Sequence, residues 1–372
     1  MELYIEREAL SRGLSRIQGI IERRGTLPVL ANVLLHAREG GLRLTGTDTE
    51  VAFLEELDAN VESPGELAVD AAGLFQVVRT LPDATVHLKV AAGNRLEIVS
   101  GRASFRLLGI AAEEYPALAP FSSQGTAKMA EADLKRLVDQ VSFSVAKEEI
   151  RYGLNGAHVE DASTDGEKKI RWVATDGHRL ALAEAPFEGE FAFTQRMLVP
   201  KKALEVLKKL LDRAGQDAIE LDFGDGAMQL RRGGQTFWFR LLEGEFPDYT
   251  AVVPKEHKHR ARVRRSELSD TLRRVSVLVA DRARAVGFSF AGAELEVQVN
   301  NVDRGEVRES VPIELDGEDI SVGFNARYLQ DILAVMPGDF VELSLAHPLA
   351  PCLVRNPEVA SSTFVVMPMR LD

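Results

Sequence analysis

Asp176, His178 and Arg179 stand within four residues of one another in the stretch ATDGHRLALAE (174–184), on either side of Gly177. An acid, an imidazole and a guanidinium at that spacing could run general acid–base chemistry or hold a developing negative charge. A hydrolase built on Asp176 and His178 also needs a nucleophile. No G-x-S-x-G occurs, and the single cysteine, Cys352, is remote in sequence. A metal site is no better supplied, because the chain has no HxxxH or CxxC and its paired histidines, His257 and His259, sit in a basic link. No cofactor or metal is expected.

The surrounding pattern explains the acid differently. The stretch TGTDTEVAFLEE (45–56) places Thr47-Asp48 where Thr175-Asp176 stands 128 residues later, and NNVDRGEVRES (300–310) occupies the comparable place in the last third. All three read as strand, tight turn, strand. Aspartate recurs in such turns because its carboxylate bonds to backbone N–H groups just ahead of it, and Gly177 supplies the conformational freedom. Asp176 is therefore read as turn chemistry.

The elements that carry these turns repeat as well. Leu10, Leu14, Ile17 and Ile21 follow the spacing of an amphipathic helix, and so do Leu134, Val138, Val141, Val145 and Leu268, Leu272, Val275, Val279. A second stripe follows each first one after 64, 69 and 61 residues: Leu74, Val77, Val78, Leu81; then Ala203, Val206, Leu207, Leu210; then Leu329, Ile332, Leu333, Met336. Between them, RLEIVSG (95–101), QTFWFRLL (235–242), ELEVQVNN (294–301) and STFVVMPMRL (362–371) alternate with period two, as antiparallel strands do. The fold expected is α+β, with three similar domains over 1–124, 125–253 and 254–372. Short Pro-containing links, YPALAPFSSQGTA (115–127) and PDYTAVVPKEHKHRAR (247–262), join them.

The chain of 372 residues carries a net charge of −12, which taken alone argues against a polyanionic partner. Its distribution argues otherwise. Residues 8–24, 70–82, 131–147, 200–213, 264–284 and 325–336 together hold a surplus of eight positive charges, so the remainder holds −20. Basic helices on an acidic body focus potential onto a polyanion on one face and keep the other soluble. No recognition helix, zinc finger, Gly-rich phosphate loop or aromatic stacking platform is evident, so DNA binding is expected to be independent of sequence and weakened by salt. One cysteine, a charged MELYIEREALSR start and no apolar run near 18–20 residues lead to the expectation of a cytoplasmic protein outside the membrane.

TDGHRLA (175–181), RYGLNG (151–156), EFPDY (245–249) and VVMPMRL (365–371) together resemble the beta subunit of bacterial DNA polymerase III, the sliding clamp, and the resemblance runs over the whole chain. It implies a head-to-tail homodimer whose six domains form a ring lined by twelve helices. Twelve helices about 10 Å apart make a circle of roughly 38 Å centre-line diameter. That leaves a pore of about 27 Å for a duplex and a layer of water.

The resemblance also implies a cleft for short peptides of the replicative polymerase, the clamp loader and repair polymerases. From the turn and the segment before it, the matching positions are Leu154, Thr175, Gly177, His178, Arg179 and Leu180, with His178 and Arg179 framing the groove. Further along they are Pro247, Val252, Asn325 and Tyr328, and in the last strand Val365, Val366, Met367, Pro368, Met369 and Arg370. Thr250, Ala251 and Gly153 depart from the family pattern. For double-stranded DNA, Arg24 matches a family position, and Lys201, Lys202, Arg273 and Arg274 come from the helix charges. For the dimer interface the resemblance points to Phe105 and Leu107 against Val277 and Leu278. The function expected is a non-enzymatic processivity factor. A scaffold that binds DNA without encircling it, and the hydrolase, stand as alternatives.

Overall fold

The computed structural model describes residues 1–371 apart from 22–26, 148–151, 165, 192, 194–196, 213–216, 225 and 280–284. Among the described residues six α-helices occupy the six apolar stripes: α1 (Arg7–Ile17), α2 (Ala71–Thr80), α3 (Glu131–Ser142), α4 (Lys201–Leu210), α5 (Arg265–Val275) and α6 (Ala326–Val335). The stripe residues Leu10, Leu14, Ile17, Leu134, Val138, Val141, Leu268, Leu272 and Val275 are all buried. Each buried aliphatic side chain contributes roughly 1.5–3 kcal/mol, which is why the stripes fix the helices. Two helices start on side-chain caps: Asp70 accepts from the Gly73 N–H before α2, and Asn325 from the Arg327 N–H before α6.

Five helices are shorter than their stripes, which leaves Ile21, Leu81, Val145, Val279 and Met336 outside them. The last member of the first stripe, Ile21, is buried but lies beyond α1, where Gly19 closes onto the Arg16 carbonyl in a tighter turn. Past α5, the Ser276 hydroxyl donates to the Leu272 carbonyl at 2.5 Å and a 3-10 turn, Ser276–Leu278, follows, so Val279 falls outside the helix. The strand expected over 362–371 also stops early, at Val366, because Pro368 has no N–H to continue a ladder.

The chain packs as two compact units whose division runs through the second repeat. The first comprises Met1–Ala132, Glu188–Ala192 and Glu205–Leu241, and the second Asp133–Phe187, Phe193–Leu204 and Leu242–Asp372. In the first unit the strands form one 14-stranded antiparallel arrangement, in which Val51–Leu57 of the first repeat pairs with Gln235–Arg240 of the second. In the second unit a 12-stranded arrangement is joined the same way, by Arg179–Pro186 of the second repeat against Ser362–Val366 of the third. Each repeat thus contributes two helices and antiparallel strands, an α+β fold of three similar domains. Among the described residues no helix is long and apolar enough to cross a membrane, and no three His, Cys, Asp or Glu side chains come together as metal ligands.

Candidate functional site

The turn at 175–179 is built by its own side chains. The Asp176 carboxylate accepts the backbone N–H of His178 and of Arg179, both at 3.0 Å, while the Thr175 hydroxyl donates to the Arg179 carbonyl at 2.7 Å. Gly177 sits at φ +86°, where a side chain is strained. The first repeat has the same construction: Asp48 accepts from Glu50 and Val51, and the Thr47 hydroxyl donates to the Val51 carbonyl. There Thr49 takes the left-handed position, at φ +81°. In the third repeat Asn301 does the corresponding work, accepting from the Asp303 N–H at 3.0 Å. Asp176 is a turn former.

Arg179, expected to frame the groove together with His178, is held from three sides. Its side chain is only 6% exposed, and its guanidinium donates to Asp176 at 3.0 Å, to Asp331 of α6 at 2.6 Å and to the Phe143 carbonyl just past α3 at 2.6 Å. The same group lies 4.6 Å from the Tyr328 ring centre and 5.0 Å from that of Phe143. His178 stacks on Tyr328 at 6.3 Å, and its carbonyl accepts the Met367 N–H at 2.9 Å. Arg179 therefore bolts the turn to α6 and to the segment just past α3, and two aromatic rings cover the bolt.

Beside it opens a hollow of about 180 Å³. Nine of the expected positions line it: Leu154, Thr175, Gly177, Arg179, Leu180, Pro247, Val252, Val365 and Met367. Asp248 and Tyr249 also line it; sequence reasoning quoted both within EFPDY but did not place them in the cleft. Val173, Leu180, Tyr249, Leu353 and Val365 form one buried apolar cluster there, against which Phe246 and Val253 pack. Gly153 has a packing reason: a Cβ there would meet the Glu245 carbonyl oxygen at 2.6 Å. Thr250 bonds by both N–H and hydroxyl to Asp248 and so closes the short turn that carries Tyr249.

Other expected cleft positions lie elsewhere. Val366 is fully buried on the other face of its strand, beside Cys352, because alternate residues of a strand point opposite ways. Asn325 caps α6, and Tyr328 serves the cleft through Arg179 and His178. Met369 follows Pro368 and gives its N–H to Gly323 at 2.8 Å. Arg370 lines a separate hollow of about 490 Å³ with Leu371 and Gly287.

The wall at Tyr249 rests on a charged cluster. Its hydroxyl donates to Glu160 and accepts from Arg171 at 3.1 Å, and Arg171 also donates to Glu184. Burial raises the Glu160 carboxyl, but hydrogen bonds from His158, Tyr249 and Arg171 outweigh it and hold the group down at about 2. Burial and the bond to Glu160 push the Tyr249 phenol up to about 12. A carboxylate held below its ordinary value of 4.5 stabilises the fold fully above that pH and ceases to do so as pH falls toward about 2. Glu160→Gln is accordingly expected to lose less melting temperature than the parent between about pH 6 and about pH 3, a difference calorimetry reads directly. Cys352 is fully buried and its thiol is pushed up to about 12 by desolvation, so it offers no nucleophile.

Comparison with known proteins decides the family. The profiles for the N-terminal, central and C-terminal domains of the DNA polymerase III beta subunit match residues 1–119, 128–248 and 250–370. The chain belongs to the DNA polymerase III beta subunit family. A beta sliding clamp of Caulobacter vibrioides is 34% identical, with all of both chains covered. The crystal structure of the DNA polymerase sliding clamp of Caulobacter crescentus superposes with a TM-score of 0.90 at 33% identity, and that of Bartonella birtlesii, bound to griselimycin, with 0.92 at 32%, again over 100% of both chains. Sliding clamps are processivity subunits without catalytic chemistry, so the hydrolase alternative is not favoured.

The beta-subunit fold gives the charged and edge positions their setting. Of the DNA positions, Arg24 lies outside the described residues. Lys201 and Lys202 open α4, and Arg273 and Arg274 close α5. Arg274 is held by both oxygens of Glu309, which reduces the charge it can offer, and Arg273 pairs with Asp270 at 3.0 Å. Arg12, Arg16 and Lys209 border a hollow of about 1010 Å³ in the first unit; the helix charge count contained them without singling them out.

At the edges, the strand Ala103–Ile110 pairs along Arg95–Ser100 on one side but meets Ala68 and Val69 only at its far end. Among the described residues the other edge of 103–108 is therefore unpaired. Phe105 is 37% exposed there, Leu107 is half-buried, and Leu108, which the sequence reading passed over, is 76% exposed. The strand Gly305–Asp316 likewise leaves one edge free over 305–312 among the described residues, and in the turn that packs against it Val277 is 71% exposed while Leu278 is half-buried.

Proposed function

We propose that two copies of this chain close head to tail into a ring of six domains around duplex DNA, with domains over 1–124, 125–253 and 254–372. The ring tethers a replicative polymerase in the cytoplasm. A free strand edge carrying exposed leucine and phenylalanine invites another strand, and the two free edges at 103–108 and 305–312 are suited to pair with one another across copies. Phe105 and Leu107 then cover Val277 and Leu278. For DNA the reading takes Arg24, Lys201, Lys202, Arg273 and Arg274 as phosphate contacts. Lys201 and Lys202 stand in the first turn of α4, where the helix dipole disfavours cations by about 0.3–1 kcal/mol each.

The observation that carries the docking role is the apolar hollow between Leu180, Val365, Val252 and Met367. It suits leucine and phenylalanine anchors of short peptides from polymerases and the clamp loader, and Met367 can repack around either. A labelled peptide of the Gln-Leu-x-Leu-Phe type, titrated by fluorescence anisotropy, is expected to bind saturably and to weaken about tenfold with Met367→Ala and His178→Ala. Absence of saturable binding to the parent protein sinks the docking role.

A further inference from the structure

The last strand ends at Val366, yet the chain beyond it is held. Met367 bonds to the His178 carbonyl at 2.9 Å, and Met369 bonds to the Gly323 carbonyl at 2.8 Å, as a single antiparallel bridge. Pro368 lies between these two points, and its fixed φ leaves the link little freedom. Gly323 sits on the strand Ile320–Asn325 directly opposite Gly287 of the neighbouring strand Ala285–Ala291. The two glycines leave a bare strip on the sheet face, and the chain end lies across one of them.

A Cβ on Gly323 would come within 2.5 Å of the Met369 carbonyl oxygen and 2.9 Å of a Leu371 methyl carbon. The backbone of Gly323 is not in the left-handed region, so what glycine supplies here is space. Gly287 differs. A Cβ there meets the flexible Gln298 side chain first, at 3.0 Å, and its three nearest neighbours all belong to Gln298.

We propose that Gly323 and Leu371 are positioning residues for the cleft: they seat residues 369–371 and thereby fix Met367, two residues before the seat, as the cleft wall. The inference rests on the cleft reading given under Proposed function. Neither residue lines the cleft, so neither touches the docked peptide. They act on the fraction of molecules whose Met367 wall is in place, and apparent affinity falls in proportion to that fraction.

The test is the same peptide titration on the full-length protein, with melting temperature and dimer mass recorded for every variant. Gly323→Ala forces the Met369 carbonyl away and is expected to weaken the peptide about 3–10-fold. Leu371→Ala should weaken it in the same sense by about threefold, and Leu371→Met, which refills the strip, should bind like the parent. Gly287→Ala should leave affinity unchanged. A residue of merely structural importance would move melting temperature instead, and Leu371, 48% exposed, should barely do so. Parent-like affinity in Leu371→Ala, whatever Gly323→Ala does, overturns the proposal; if His178→Ala still weakens binding, the cleft itself stands. A parent protein that binds no peptide removes the cleft reading and this inference with it.

Discussion

Replacing Arg179 with alanine is expected to cost the second unit about 2–3 kcal/mol and to abolish measurable peptide capture. The side chain is buried, with Asp176 and Asp331 less than one-third and about one-third exposed respectively, so removing the guanidinium leaves two carboxylates and the Phe143 carbonyl short of a donor. Water reaches Asp331 readily and Asp176 in part, which is why the expected loss lies below that of a fully buried pair. The effect on docking is the larger one. Arg179 holds the turn against α6 and the segment after α3, and Leu180, its neighbour in the strand, faces Val365 across the cleft floor. Arg179→Lys should rescue little, since one ammonium cannot reach three acceptors in the geometry of a planar fork. Urea unfolding and peptide anisotropy on the same samples check both parts. Parent-like docking in Arg179→Ala contradicts the role given to the bolt.

Leu108→Asp is expected to convert the dimer into monomers while leaving the fold intact. Leu108 is 76% exposed in the single chain, so a carboxylate there stays in water and should alter unfolding by no more than about 0.5 kcal/mol. In the proposed head-to-tail ring the same carboxylate lies on the joined strand edge, on the face opposite Phe105 and Leu107. It loses its hydration, and the contact loses the leucine. Together these should weaken association at least about 100-fold, equivalent to roughly 3 kcal/mol. Sedimentation over a concentration series reads the change directly. A companion change two residues earlier on the same strand face, Arg106→Ala, removes only an exposed ion pair with Glu97, brings no carboxylate into the joint and should leave the mass unchanged. A dimer that survives Leu108→Asp at micromolar concentration excludes this edge as the joint.

What was legible in the sequence was what is local. The turns at Asp48 and Asp176 are specified by hydrogen bonds reaching two and three residues ahead, so their chemistry could be read from ATDGHRLALAE and TGTDTEVAFLEE before any fold was known. Helix stripes were legible for the same reason, but their ends were not: Gly19 and the back-bonding Ser276 stop α1 and α5 earlier than the apolar spacing does. The role of Arg179 was out of reach because its partners, Phe143 and Asp331, are 36 and 152 residues away. Tyr249 was quoted in EFPDY, yet its place in the cleft depends on Glu160 and Arg171 anchoring the hydroxyl, a contact 78 residues or more in length. Leu108 was missed because only pairing along one edge, not composition, shows which face of the strand is left open.

The most direct test of the central claim is whether the protein is linked to DNA topologically. The dimer would be placed on nicked circular DNA by its clamp loader, freed of unbound protein by gel filtration, and the circle then cut once with a restriction enzyme. A ring predicts that protein co-elutes with the intact circle at high salt and leaves soon after the cut, because it slides off the new ends. Equal retention on circular and linear DNA contradicts encirclement and would recast the basic helices as a surface patch for duplex DNA.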